Sequence, residues 1–158
     1  MHVYRVISAR HRDHLLDGRC AARTGGRWNF RGFPAVYISL SISLALLEAV
    51  RQEAGAQLVG PHCLGIIDLP ARFITHVDPQ SLPARWRDFP SHTQAIGARW
   101  LNHGTLALVV PSVIHDQEGN VVLNPAHRDY HHLRVEHCGP VHLWEHIGVG
   151  EERPDAGS

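Results

Sequence analysis

Lysine is missing from this chain altogether. Its 158 residues carry 15 basic side chains, all of them arginine, against 15 carboxylates, so the formal net charge is zero with histidine neutral. Such a balance excludes the broad positive field that drives binding to nucleic acid or an anionic membrane. Cysteine is scarce as well: Cys20, Cys63 and Cys138 are odd in number, far apart and without a CxxC pair. Neither a disulfide framework nor a cysteine zinc site is signalled. No apolar run approaches the ~18 residues of a membrane span, and Met1 to Arg5 lacks the pattern of a signal peptide. The expectation is a soluble, non-secreted, cytoplasmic protein with no membrane partner.

What is present points to a globular chain. A composition 44% hydrophobic and 19% charged is too apolar for disorder. A length near ~150 residues suits one domain with a real core. Residues 1–150 are expected to form that domain, and 151–158 a polar, frayed tail. Fourteen histidines make the charge balance pH-sensitive, since free imidazole titrates near ~6.5.

Apolar segments rich in Val, Ile and Leu, bounded by Gly, Pro or Asn, predict strands at 3–7, 35–39, 62–69, 106–111, 121–123, 133–137 and 141–144. A helix is predicted over 41–53, where Ile42, Ala45, Leu46, Ala49 and Val50 share one face and Gly55 supplies a stop. A second should begin at Ser91, with Gln94 completing a capping box, and end at Gly104. Pro70 to Pro90, with four prolines, reads as irregular loop. The connections are too uneven for regular βαβ winding. The expected class is α+β: a single compact domain with a mixed or antiparallel sheet and a few helices.

Two patterns carry less than they promise. Arg19, Arg23, Arg27 and Arg31 recur every four residues, but the glycines among them and Pro34 forbid a continuous basic helix. His142-Leu143-Trp144-Glu145-His146 is an HxxEH string that a zinc hydrolase would place on a helix, whereas Pro140 and the alternating Val141 and Leu143 favour a strand. No metal is therefore assigned, and zinc hydrolysis through His142 and His146 is a lesser alternative.

Other polar residues stand in more telling surroundings. Arg27 lies in Gly25-Gly26-Arg27-Trp28-Asn29, where glycines let backbone close on a ligand and a guanidinium beside an indole suits phosphate or ribose. Tyr37 sits in the short strand before the first long helix. Glu48 is the lone charge in Leu44-Ala45-Leu46-Leu47-Glu48-Ala49-Val50, so it either pairs with an arginine or faces a cleft. Ser112 follows the apolar strand at Pro111, with no GxSxG around it to make it a nucleophile.

In order along the chain, these segments resemble the RES domain family, the toxins of a class of bacterial toxin–antitoxin modules. The resemblance runs through Tyr4-Arg5-Val6, Gly25 to Asn29, Gly32, Pro34, Tyr37 and Ala45-Leu46-Leu47-Glu48. It continues through Pro111-Ser112, Glu118, Asn120, Asn124-Pro125 and His127, covering about 3–135. The family's arginine, glutamate and serine fall on Arg27, Glu48 and Ser112. Asp116 stands where the family often has proline, and Glu145-His146-Ile147 replaces its usual ending.

The resemblance implies an ADP-ribosyltransferase-like fold and NAD⁺ consumed as a substrate, with no cofactor. The outcome would be cleavage of the nicotinamide–ribose bond, by glycohydrolase or phosphorylase action that depletes NAD⁺ and arrests growth. ADP-ribosyl transfer to a protein is the alternative, and a catalytically inactive module binding NAD⁺ or an antitoxin a lesser one. The catalytic set implied is Arg27, Tyr37, Glu48 and Ser112, with Gly26, Trp28, Asn29, Asn124 and His127 as substrate-binding support. The implied partner is a cognate antitoxin of the Xre, helix-turn-helix type. A dinucleotide-binding dehydrogenase is disfavoured because no GxGxxG opens a helix after the first strand.

Overall fold

The structure is a computed structural model that describes residues 1–53, 60–115 and 117–142. Seven strands form one mixed sheet: β1 (His2–Ser8), β2 (Val36–Ser39), β3 (His62–Asp68), β4 (Ile74–His76), β5 (Ala107–Pro111), β6 (Gly119–Leu123) and β7 (Arg134–Val141). Three helices accompany them: α1 (Arg19–Thr24), α2 (Ile42–Glu53) and α3 (Pro90–His103). The strand order is β4-β5-β6-β2-β1-β3-β7, and every pairing is antiparallel except β4 with β5. This agrees with the α+β expectation.

Side chains alternate across the strands, so each face has its own core. On one face Val3, Ile67, Val121 and Leu123 pack with Leu15 and Leu133. The other face carries two clusters: Trp28, Trp86 and Trp100 lie with Leu108, Val110 and Val122, while Ala45 and Ala49 of α2 lie with Val6 and partly buried Tyr4 and Leu64. Thus α3 sits with the β5–β6 half of the sheet and α2 with the β1–β3 half.

Between those halves the sheet opens. β1 and β3 pair all the way from His2–Asp68 to Ser8–His62, but β1 meets β2 at a single register pair, Tyr4 opposite Ser39. The wedge so formed positions the site.

Several elements differ from the sequence reading. The segment 70–90 is not all loop: it holds β4, whose parallel pairing with β5 supplies backbone bonds no local pattern announces. The two strands expected at 133–137 and 141–144 are one strand to Val141, running through Gly139-Pro140; beyond 142 the reading falls outside the described residues. Pro140 is tolerated because β7, among the described residues, is an edge strand paired only with β3. A short helix, α1, forms within the arginine stripe and stops at Gly25, whose φ of 73° needs glycine. The Ser91–Gln94 capping box does not form; Pro90 occupies the first turn of α3, and no side chain caps it. On α2 the buried residues are Leu44, Ala45 and Ala49, whereas Ile42 is 40% exposed. Gly55 and Asp116 lie outside the described residues.

Candidate active site

A cavity of about 350 Å³ occupies the wedge between β1 and β2. One wall is the glycine loop, with Gly26, Arg27 and Trp28, backed by α1; the opposite wall is α2, with Glu48 and Arg51. Tyr4, Arg5, Tyr37, Ser39 and Asn120 line the sheet side.

The glycine loop is fixed from every side. The Tyr37 hydroxyl accepts the Trp28 amide at 2.9 Å and donates to Asn29 Oδ1 at 2.7 Å. Asn29, wholly buried, sends Nδ2 to the carbonyls of Ala21 at 2.9 Å and Phe33 at 2.8 Å. From α3, Gln94 Nε2 donates to the Gly26 carbonyl at 2.9 Å and Thr93 Oγ1 to the Arg27 carbonyl at 2.6 Å. A Cβ on Gly26 would stand 2.6 Å from the Tyr37 hydroxyl. Glycine there is what admits the tyrosine. Burial raises the Tyr37 phenol well above its ordinary range, outweighing the opposite pull of its Trp28 and Asn29 contacts and of the Arg27 charge, so it stays protonated.

Arg27 leaves this loop half-buried. Its Nη1 donates to the Trp86 carbonyl at 3.3 Å, and its guanidinium lies 5.7 Å from the Trp86 ring centroid. Desolvation, followed by the like charges of Arg51 and Arg87, lowers its pKa from the ordinary arginine value. Crowded cations of this kind favour an anion in the cavity. Arg5, on β1, is largely buried and donates from Nη1 to the Leu15 carbonyl; desolvation lowers its pKa too.

On the opposite wall Glu48 has a side chain only 13% exposed. Its Oε1 accepts Asn120 Nδ2 at 2.7 Å, and its Oε2 accepts Arg51 Nε at 3.1 Å and Nη2 at 3.0 Å. Ser39 Oγ donates to Asn120 Oδ1 at 2.8 Å, which fixes the orientation of that amide. A carboxylate is thus presented to the cavity on a chain of hydrogen bonds running from β2 through β6 to α2.

The structure therefore gathers Gly26, Arg27, Trp28, Tyr37 and Glu48 around one cavity. Asn29 stands behind the loop as its organiser. Ser112 is fully buried, its Oγ accepting the Ile114 amide at 3.0 Å; its neighbours Pro111 and Val113 reach the cavity, but Ser112 is not among the lining residues. Asn124 and His127 are also outside the lining. Asn124 bonds the Leu101 carbonyl at 2.9 Å and the Ala126 amide at 3.1 Å, and His127 accepts the Asp129 amide at 3.1 Å. Sequence reasoning gave no site role to Arg5, Ser39, Arg51 or Asn120. For Arg51 a signal existed, its place three residues after Glu48, and Asn120 stood among the residues of the family resemblance; for Ser39 only the β2–β6 register, Ser39 opposite Asn120, reveals it. Of the HxxEH string, only His142 lies within the described residues.

Comparison with known proteins agrees with this architecture. The RES domain family model matches residues 2–145. The chain is 38% identical over 135 residues to the toxin Res of Photorhabdus laumondii, covering 83% of this chain and 86% of that protein. It is 37% identical over 120 residues to the Prs ADP-ribosylating toxin of a Sphingobium species, covering 72% and 74% respectively. Its fold is that of a chain in the crystal structure of the M. tuberculosis MbcT–MbcA toxin–antitoxin complex, with a TM-score of 0.75 over 94% of this chain and 87% of that one at 23% identity. The matched residues span both walls of the cavity, and the chain belongs to the RES domain family.

Proposed function

We propose that this protein is a toxin that cleaves the nicotinamide–ribose bond of NAD⁺ in the wedge between β1 and β2. The observation that carries this reading is the pairing of opposite walls: a half-buried guanidinium crowded by like charge on one, and a hydrogen-bonded carboxylate on the other. A volume of about 350 Å³ is in the range of small-ligand sites, ~300–1,000 Å³.

As the bond to nicotinamide breaks, its electron pair leaves with the ring, which departs neutral, and positive charge develops at the ribose carbon. Glu48 stabilises that charge and holds the ribose hydroxyls. Arg27 takes the diphosphate as a fork of donors. The Tyr37 ring supplies a face for nicotinamide, and its protonated hydroxyl keeps the loop in place. Ser112 acts through the strand end, setting Pro111 and Val113 at the cavity edge. When water is the acceptor, it adds to the ribose carbon and loses a proton, giving ADP-ribose and nicotinamide. The cation is accessible to any nucleophile, so phosphate or a protein side chain fits the same machinery. The name of the Sphingobium relative favours protein transfer as the second reading.

A cytoplasmic enzyme of this kind needs restraint, and a cognate antitoxin of the Xre, helix-turn-helix type is the proposed partner. Purified protein incubated with NAD⁺ should release nicotinamide, and Glu48→Ala should not. Equal release by the two proteins would sink the proposal. Products formed with and without phosphate, and labelled protein formed from labelled NAD⁺, separate the acceptors.

A further inference from the structure

Both oxygens of the Glu48 carboxylate are occupied, but by donors of different kinds. Asn120 is partly buried, in the middle of the sheet, with its amide oriented by Ser39. Arg51 is a long side chain lining the cavity and 56% exposed, and it covers Oε2 with both Nε and Nη2. One donor is fixed; the other is free to leave. Glu48 is mostly buried, but the guanidinium is more than half in solvent, which screens its side of the pair and leaves it room to turn toward a stronger anion.

The same guanidinium is close enough to Arg27 to depress its pKa. Two arginines that repel one another across a cavity are relieved by an anion between them, and a diphosphate offers two phosphates, one for each fork. While Arg51 stays on Glu48, Oε2 faces a cation and cannot serve the ribose. Once Arg51 turns to a phosphate, Oε2 is uncovered beside the same ligand.

We propose that Arg51 is a substrate-operated latch: it caps Glu48 in the empty cavity and passes to the diphosphate of the incoming dinucleotide, releasing the carboxylate only when that group is bound. This rests on the NAD⁺ reading above and adds to it a binding residue and an order of events. Premature reaction is suppressed because the carboxylate is exposed last.

The roles separate in kinetics. Arg51→Ala should weaken binding of ADP-ribose and raise KM for NAD⁺, each by about tenfold, the scale of one charge-assisted hydrogen bond, while kcat stays at or above the wild-type value. Arg51→Lys should recover part of the affinity. A residue that merely holds Glu48 in place would show the reverse, with kcat falling and KM unchanged. Any fall in kcat on Arg51→Ala, or an unchanged affinity for ADP-ribose, overturns the latch. Calorimetry with ADP-ribose does not depend on turnover. If the wild-type protein released no nicotinamide, the glycosidic reading would fail, and the ADP-ribose comparison would still decide whether Arg51 binds the diphosphate.

Discussion

The two walls of the cavity are built on opposite principles. Around the glycine loop every named polar group is tied into the protein itself: Tyr37 to Trp28 and Asn29, Asn29 to three carbonyls, Thr93 and Gln94 to the loop backbone. Little is left over for a ligand except the Arg27 guanidinium. Along α2 the reverse holds, for the Glu48 carboxylate faces the cavity and one of its two partners is a solvent-exposed arginine. The loop wall spends its hydrogen bonds on shape, and the helix wall keeps its charges exchangeable. Substitutions on the first should therefore damage the fold, and on the second the chemistry alone.

The largest effect is expected at Gly97. A Cβ there would stand 1.7 Å from the Trp28 carbonyl oxygen, backbone that cannot move without dragging the glycine loop away from α3. Gly97→Ala should exceed the ~1–3 kcal/mol usual for overpacking and leave no cooperative thermal transition by circular dichroism. A variant melting like wild type would mean that the loop is not held as described.

At Glu48 the comparison predicts a different signature. Glu48→Gln keeps the shape and the Asn120 contact, so its melting temperature should stay close to wild type while turnover falls on the order of 10²–10³-fold, as when one charge-stabilising group is lost. Unfolding of this variant would make Glu48 a structural residue and erase the contrast between the walls.

Tyr37→Phe comes next. It leaves Asn29 Oδ1 and the Trp28 amide without their shared hydroxyl, which should cost roughly 1–3 kcal/mol in denaturant unfolding. The ring stays, so the loss should appear in stability and in KM before kcat.

The smallest effect concerns Asp17, ahead of α1. It accepts the Arg19 amide at 2.8 Å and pairs with the Arg19 guanidinium, and these contacts lower its pKa below the ordinary carboxylate value. A carboxyl depressed in the folded state stabilises fully above its unfolded value of about 3.9 and loses that contribution as pH falls further, through the folded value. Asp17→Asn should thus lower the melting temperature slightly at pH 7 and by less at a pH below that unfolded value. Equal effects at both pH values would assign Asp17 a role independent of charge.

How much of this was legible beforehand follows from the range of each interaction. β1, β2, β3, β5 and β6 announce themselves through local apolar pattern, and so does α2, whose lone Glu48 calls for an arginine partner or a cleft and has both. The edge strand β4 does not, because three residues paired in parallel to a distant strand carry no periodicity of their own. Gln94 was read as a cap for its own helix, yet its amide reaches Gly26, a contact only the packing of α3 on the loop creates. Arg27, Tyr37 and Glu48 were found by their surroundings in sequence and stand at the cavity. Asn120 and Ser39 have no role in the sequence reading because Ser39 orients the Asn120 amide that reaches Glu48 only once β2 and β6 pair.

The most direct test puts binding and chemistry on one sample: NAD⁺ affinity by calorimetry and nicotinamide release by chromatography, for wild type and Glu48→Gln. NAD⁺ should bind both proteins within a few-fold, about 1 kcal/mol, with release falling on the order of 10²–10³-fold in the variant. Release at the wild-type rate by Glu48→Gln, or NAD⁺ that binds neither protein, would contradict the assignment of this cavity and of its carboxylate wall.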